Sequence, residues 1–240
     1  MLSVLSVFGT DNPSRTVEEI SQELDISVAS AYRYVRTLVQ EGFLSKLPGK
    51  HYALGIRIIE LDRDIRHTES VLVHSEEPMR RLSQATGKNV YLFTYYGQKI
   101  MCTNRVWARF DDSNQVDRGH DASFFRGAAG RVILAHLPAQ ELRRIHHENT
   151  GEIRESGLGA TLTEFRNSLK TIRNAGHYLG VNEVFPGVVG LGVPVQDEEG
   201  VVTTSMTIAT TESEIDEEFG YLLPLLTATA QAIQASLRKA

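Results

Sequence analysis

From Ser27 to Gly42 one face of a helical stretch is apolar, with Val28, Ala31, Val35, Leu38 and Val39 at helical spacing. Ala29, Ser30, Tyr32, Arg33, Arg36 and Thr37 are left to point elsewhere. Arginine bonds the O6/N7 pair of guanine bidentately, and a recognition helix reads base edges with its N-terminal exposed residues. Ala29, Ser30 and Arg33 are therefore the best-placed base readers, with Tyr32 beside them and Ser27 as the N-cap at the DNA-facing end. Arg36 falls nearer the phosphates. So do Lys46, Lys50 and His51, which surround the turn Pro48-Gly49-Lys50 between two short β-like runs. Lone surface arginines are ordinarily just solvated; here helix, hairpin and cation cluster agree on DNA.

Catalytic chemistry finds no comparable set of groups. The sequence has no GxSxG elbow, P-loop, HExxH or GxGxxG, and Gly187, Gly190 and Gly192 give only GxxGxG on a strand-like run. His146 and His147 are adjacent on a helix and point apart, a poor metal pair. Cys102 is the single cysteine, which excludes a disulfide framework and any CxxC motif; on a strand it reads as inert core. No enzyme, metal or cofactor is expected.

The elements that position the DNA-reading residues follow from punctuation and periodicity. Leu2, Val4, Leu5 and Phe8 form a brief apolar helix, which Gly9 to Ser14 ends. Thr16 and Glu19 make a capping box, behind which Val17, Ile20 and Leu24 share a face. A short break at Asp25-Ile26 leads to the second helix, closed by Gly42, so the pair is a helix-turn-helix. The hairpin of Phe43–Leu47 and His51–Leu54 is the wing of a winged helix. Helical period returns from Gly55, and Ile56 to about Ser70 reads as a linker helix, with Pro78 opening a further helix or marking a bend.

Strands then alternate with helices. Asn89–Tyr96 and Lys99–Val106 join at Gly97-Gln98, and Tyr178–Val184, Val188–Gln196 and Val201–Thr210 follow three helical segments. An amphipathic helix from Ile215 to Leu237, with a kink expected at Pro224, closes the chain. Hairpins with segregated helices predict an α+β fold with a mostly antiparallel sheet. The expected domains are a winged helix-turn-helix over 1–55, a linker helix over 56–70, and an effector-binding and oligomerisation domain over 71–240.

The chain has 240 residues, 25 Lys+Arg and 30 Asp+Glu, for a net charge of -5. At roughly 150 residues per domain that is one or two domains. The opening MLSVLSVF lacks a basic n-region and a cleavage site, and no apolar run approaches the ~18 residues of a membrane span, so a cytoplasmic protein is expected. The acidic total argues against a cation-coated protein, yet residues 27–57 hold five cations against the single acid Glu41. So few phosphate contacts make a monomer weak, and specific binding calls for a dimer on half-sites about 34 Å apart or a multiple of that.

The sequence resembles the IclR family of bacterial transcription regulators over essentially its whole length. The similar stretches are Ser30-Ala31-Tyr32-Arg33, Leu38, Glu41-Gly42-Phe43-Leu44 and Tyr52-Ala53-Leu54-Gly55 in the first domain. In the second they are Leu82 with Thr86-Gly87, Gly127-Ala128-Ala129-Gly130-Arg131, Leu134-Ala135-His136-Leu137, Leu169 with Ile172-Arg173 and Gly176, and Gly187-Val188 leading to Val193-Pro194-Val195. The resemblance implies a GAF-like (profilin-like) effector domain in a homodimer or dimer of dimers, on a double-stranded DNA operator. Its pocket maps to Ala128, Ala129, Gly190, Thr207 and Ala209. Gly190 and Ala209 are smaller than the Cys or Ser often found there, Arg131 replaces a common Lys, and Phe124-Phe125-Arg126 replaces an apolar, proline-containing stretch.

Read physically, a helix opening at Gly127 to Gly130 offers free N–H groups to a small organic acid; the same small residues also suit tight packing on a sheet. Thr103 and Ser205 are further polar candidates by strand proximity. Tyr91, Tyr95, Trp107 and Phe124 are wall candidates that equally suit the core. The resulting expectation is a regulator switched by a small organic acid or catabolic intermediate. The alternatives are a constitutive DNA-binding protein and an enzyme fused to a DNA-binding domain.

Overall fold

A computed structural model describes residues 1–108 and 116–239, and the chain divides into two compact units, Met1–Glu69 and Ser70–Ala240. The first unit opens on a 3-10 helix, Leu2–Val7. Helix α1 (Val17–Glu23) starts at the capping box: Thr16 Oγ1 accepts from Glu19 N at 3.3 Å, and the Glu19 carboxylate accepts from Thr16 N at 2.7 Å. Asp25, at φ 50°, turns the chain into helix α2 (Val28–Gln40). Val4, Ile20, Ala31, Val35, Leu38 and Leu44 form the core of this unit. Val28, which periodicity assigns to the buried stripe, instead has 44% of its surface exposed. As the first helical residue it lies beyond the end of α1 and finds nothing to pack on.

Strands β1 (Leu44–Lys46) and β2 (Tyr52–Leu54) pair antiparallel with Lys46 opposite Tyr52. Arg15 pairs with Tyr52 from the other side, its N donating to Tyr52 O at 2.9 Å. At the tip Gly49 and Lys50 take φ 73° and 65°, the left-handed conformation that glycine adopts at no steric cost. Helix α3 (Ile56–Thr68) follows and buries none of its residues.

The second unit begins with α4 (Ser70–Thr86), which continues through Pro78, where the sequence suggested a new start or bend. Leu72 and Met79, buried on either side of that proline, hold the helix together across the lost backbone bond. The sheet strands are β3 (Asn89–Tyr95), β4 (Ile100–Val106), β5 (Asp121–Ala122), β6 (Tyr178–Val181), β7 (Val189–Gln196) and β8 (Val202–Thr210). Among the described residues they are ordered β5-β4-β3-β8-β7-β6, antiparallel throughout. Between them run α5 (Gly127–His136), α6 (Ala139–Glu148), α7 (Thr150–Glu155) and α8 (Leu162–Ala175), and α9 (Glu212–Leu237) ends the unit. The short β5 and α7 have no counterpart in the sequence reading, because two paired residues and a single buried Ile153 leave no periodicity to detect.

Strand alternation sorts the side chains into two layers. Val90, Leu92, Leu191, Val193, Met206 and Ile208 join Leu82, Leu226 and Ile233 of α4 and α9 in one core. Tyr91, Phe93 and Cys102 join Ile133, Phe165 and Leu169 of α5 and α8 in the other. Helix α5 lies close on the sheet because β7 presents glycines beneath it: a Cβ on Gly192 would sit 3.0 Å from Ala128 Cβ. A buried ion group ties α9 to the start of β3, with Lys88 Nζ 3.0 Å from both Glu214 and Glu218.

Candidate nucleic-acid interface and cavity

Helix α2 turns one continuous exposed face outward, made by Val28, Ala29, Tyr32, Arg33, Arg36 and Gln40. Ser27 is the N-cap: its Oγ accepts from Ser30 N at 3.2 Å and donates to Ser30 Oγ at 2.9 Å. The Ser27 hydroxyl is thus committed to the cap, whereas the Ser30 hydroxyl accepts from it and keeps its own proton. Tyr32 leans toward Glu18 of α1, 3.5 Å from its carboxylate, and the Arg33 guanidinium stands 5.3 Å from the Tyr34 ring centre. In the wing Lys46 and Lys50 are exposed, and His51 is half-buried with Nδ1 3.1 Å from Gly49 O. Among the described residues Arg33, Arg36, Lys46 and Lys50 have no ion pair. Arg57, the fifth cation of the sequence count, is held by Glu60 at 2.9 Å on α3.

In the second unit the region around Ala128, Gly190 and Thr207 lines a partly open cavity of about 110 Å³. Its floor is the face of the sheet carrying Tyr91, Phe93, Gly190, Thr207 and Ala209, and one end is the first turn of α5 with Ala128 and Ala129. Val184, Phe185 and Val188, on the segment between β6 and β7, cover it. Most of this lining is apolar. Thr207 Oγ1 is an exception: the residue is 6% exposed and, among the described residues, this oxygen has no hydrogen-bond partner. A buried hydroxyl left unpaired costs roughly 1–3 kcal/mol, a deficit that a bound ligand or water removes. Burial pushes the Tyr91 phenol up to about 12, so it stays a neutral hydroxyl at physiological pH.

The N-terminus of α5 is not the open anion site that sequence suggested. Gly127 N donates to the Glu183 carboxylate at 2.7 Å, and Tyr178 Oη donates to the same group at 2.7 Å. Arg131 Nε lies 3.3 Å from it, and the other arms of that guanidinium donate to Tyr178 Oη and Ser156 O. A carboxylate of the chain itself therefore caps the helix, completing a four-residue network that ties α5 to β6 and the segment after it. Sequence reasoning missed Glu183 because a lone glutamate 56 residues from the helix it caps carries no local signature.

Other candidates separate cleanly. Gly130 faces away from the cavity and against backbone; a Cβ there would lie 2.8 Å from Phe124 O. Thr103 points to the opposite face of the sheet, bonded to Thr94 Oγ1 at 3.0 Å, at a bulge where β4 slips against β3. Ser205 Oγ donates to Ala129 O at 3.2 Å and serves to dock α5. Tyr95 bonds Gly97 O and Glu141, Phe124 packs edge-on against Tyr95, and Trp107 lies under the Arg105 guanidinium at 3.5 Å. Phe93, Val116, His120, Ser123, Arg126, Phe185 and Val188 also line the cavity; only Phe93, two residues from Tyr91, was accessible to strand alternation. Cys102 is buried, which raises its thiol to about 12 and leaves it no nucleophile.

A winged helix with unpaired cations on the second helix and wing, in a chain whose other unit is an α+β domain, defines a DNA-binding transcription regulator. Family models described as "IclR helix-turn-helix domain" and "Bacterial transcriptional regulator IclR C-terminal" match residues 1–48 and 65–235. The chain belongs to the IclR family of bacterial transcriptional regulators. It is 24% identical over 220 residues to the glycerol operon regulatory protein of Streptomyces coelicolor, covering 90% of this chain and 84% of that one. It is likewise 24% identical over 223 residues to the transcriptional regulator KdgR of Escherichia coli, with the same shares covered. The fold superposes with a TM-score of 0.82 on an IclR homologue from Microbacterium hydrocarbonoxydans complexed with 4-hydroxybenzoate, 19% identical, covering 100% of this chain and 98% of that one.

Proposed function

We propose that this protein is a transcription regulator whose affinity for a double-stranded DNA operator is switched by a small organic acid held in the cavity of residues 70–240. The carrying observation is the partly open, mainly apolar cavity with Thr207 Oγ1 unpartnered in its wall. A constitutive DNA-binding protein has no use for such a space, and filling it would raise stability. Ala128, Ala129, Gly190, Thr207 and Ala209 contact the ligand, and Arg126 is the cation of a lining that also carries the carboxylates of Asp121 and Glu183, the latter already engaged by Arg131. The complex of a relative with 4-hydroxybenzoate supports an acid with a ring-sized apolar body.

Arg33 reads bases, and Arg36, Lys46, Lys50 and His51 hold phosphates. Helix α3 serves as the linker of a homodimer or dimer of dimers in the cytoplasm, and the protein catalyses no reaction. Coupling of about 1–3 kcal/mol, or 5–150-fold in operator affinity, is enough for such a switch. The test is a thermal-shift screen of small organic acids, 4-hydroxybenzoate included, followed by operator titrations with and without each acid that stabilises the protein. A raised melting temperature with a changed operator affinity is expected. An acid that binds tightly and leaves operator affinity unaltered overturns the switching role.

A further inference from the structure

The N-terminal tip of α2 is apolar. Ser27 and Ser30 bond each other in the cap, and between them the tip presents Val28 and Ala29, both exposed. Val28 shows 44% of its surface to solvent and is absent from the core that Ala31, Val35 and Leu38 build along the same helix. It is the first residue of the helix, in line with the buried stripe but beyond its packed part, and next to Ala29 and Tyr32 on the exposed side. In the major groove only thymine offers an apolar group, its C5-methyl, and apolar side chains at a helix tip are its complement.

We propose that Val28 is a specificity-determining residue that packs on a thymine methyl, so that each half-site holds an obligatory thymine at a fixed distance from the base pair read by Arg33. Five residues of helix span about 7.5 Å, or roughly two base steps, which sets the separation between the two contacts. This rests on α2 being the element that enters the major groove. Docking covers the valine and excludes water from it, and removal of one buried methyl lowers affinity about fourfold.

The experiment starts from duplexes selected out of a random pool by the full-length protein. Each thymine of the selected half-site is then replaced, one at a time, by deoxyuridine, which removes the methyl and nothing else. One position per half-site is expected to lose about fourfold with the wild type, and Val28→Ser is expected to bind the thymine and deoxyuridine duplexes equally. Because Val28 is exposed and outside the core, the variant folds, and its melting temperature confirms that. Equal wild-type binding to every deoxyuridine duplex overturns the inference, as does a methyl effect that survives in Val28→Ser. Arg33→Ala tells the two levels apart: if it changes the selected sequence, α2 remains the reading helix even where the thymine contact fails. If neither substitution changes it, the reading of α2 fails as well.

Discussion

Arg33 and Lys50 differ in what they can reach, and their loss should differ accordingly. Arg33 sits on the exposed face of α2 one turn beyond the cap, whereas Lys50 is at the tip of the wing with its backbone at φ 65°. Arg33→Ala should weaken binding to the selected operator more than to random duplex. Lys50→Ala should weaken both alike and make the salt slope shallower by about 0.9 per protomer. Titrations at several salt concentrations check this, and an equal loss on all sequences for Arg33→Ala would assign it to phosphate. In the cavity, Thr207→Val replaces an unpartnered hydroxyl by a methyl of the same shape. Its melting temperature should be unchanged or higher, because an unsatisfied buried oxygen is removed. The thermal shift given by a stabilising organic acid should shrink in the same variant. A clear drop in melting temperature without ligand would reveal a structural partner for the hydroxyl.

Two elements of the second unit are held by carboxylates whose removal is measurable. Glu183 caps α5 and neutralises Arg131, so Glu183→Ala leaves a guanidinium with 12% of its side chain exposed and a helix end without its acceptor. Loss of charge-assisted hydrogen bonds predicts destabilisation of about 2 kcal/mol, read by denaturant unfolding, with Glu183→Gln falling between the two. At the start of α9, hydrogen bonds from Lys88 and then Thr210 lower the Glu214 carboxyl to about 2. A folded-state value below the unfolded one means stability that is present above about pH 4.5 and is lost as the pH falls toward 2. Glu214→Gln should flatten the melting-temperature profile over that interval and leave it parallel to wild type near neutrality. Apart from β5 and α7 the helices and strands of both units were legible because their signals are local: the capping box at Thr16, the shared face of α8, alternation in β8, the heptad-like run of α9. The cavity was legible only through Tyr91 and the small residues that family resemblance marked. Glu183 reaches the site from a segment distant from Arg126 and His120, and Thr103, a candidate by strand proximity alone, follows Cys102 of the cavity-side core and so faces the other way.

A net charge of -5 and four unpaired cations set the limits on how this molecule holds DNA. Counting all four as phosphate contacts sets the upper limit of the salt slope at about -3.6 per protomer, shallower than a count including Arg57 would suggest, and a dimer doubles that limit to about -7.2. Specific binding in a genome needs the steeper figure, because a single helix and wing cannot outcompete the many non-specific sites. Helix α3 offers the surface for that dimer within the first unit: Ile56 and Ile59, spaced i, i+3, are 65% and 71% exposed. Isoleucines so exposed on a regular helix lose about 25 cal/mol for each Å² of apolar surface left in water, a cost that packing on a second α3 would remove. Ile59→Asp should therefore raise the operator dissociation constant at least tenfold and bring the salt slope from about -7 toward about -4. Sedimentation separates the causes. A variant still dimeric but with the shallow slope places the contact of residues 1–69 at α3 and a second contact in residues 70–240. Unchanged sedimentation with unchanged slope removes α3 from the interface altogether.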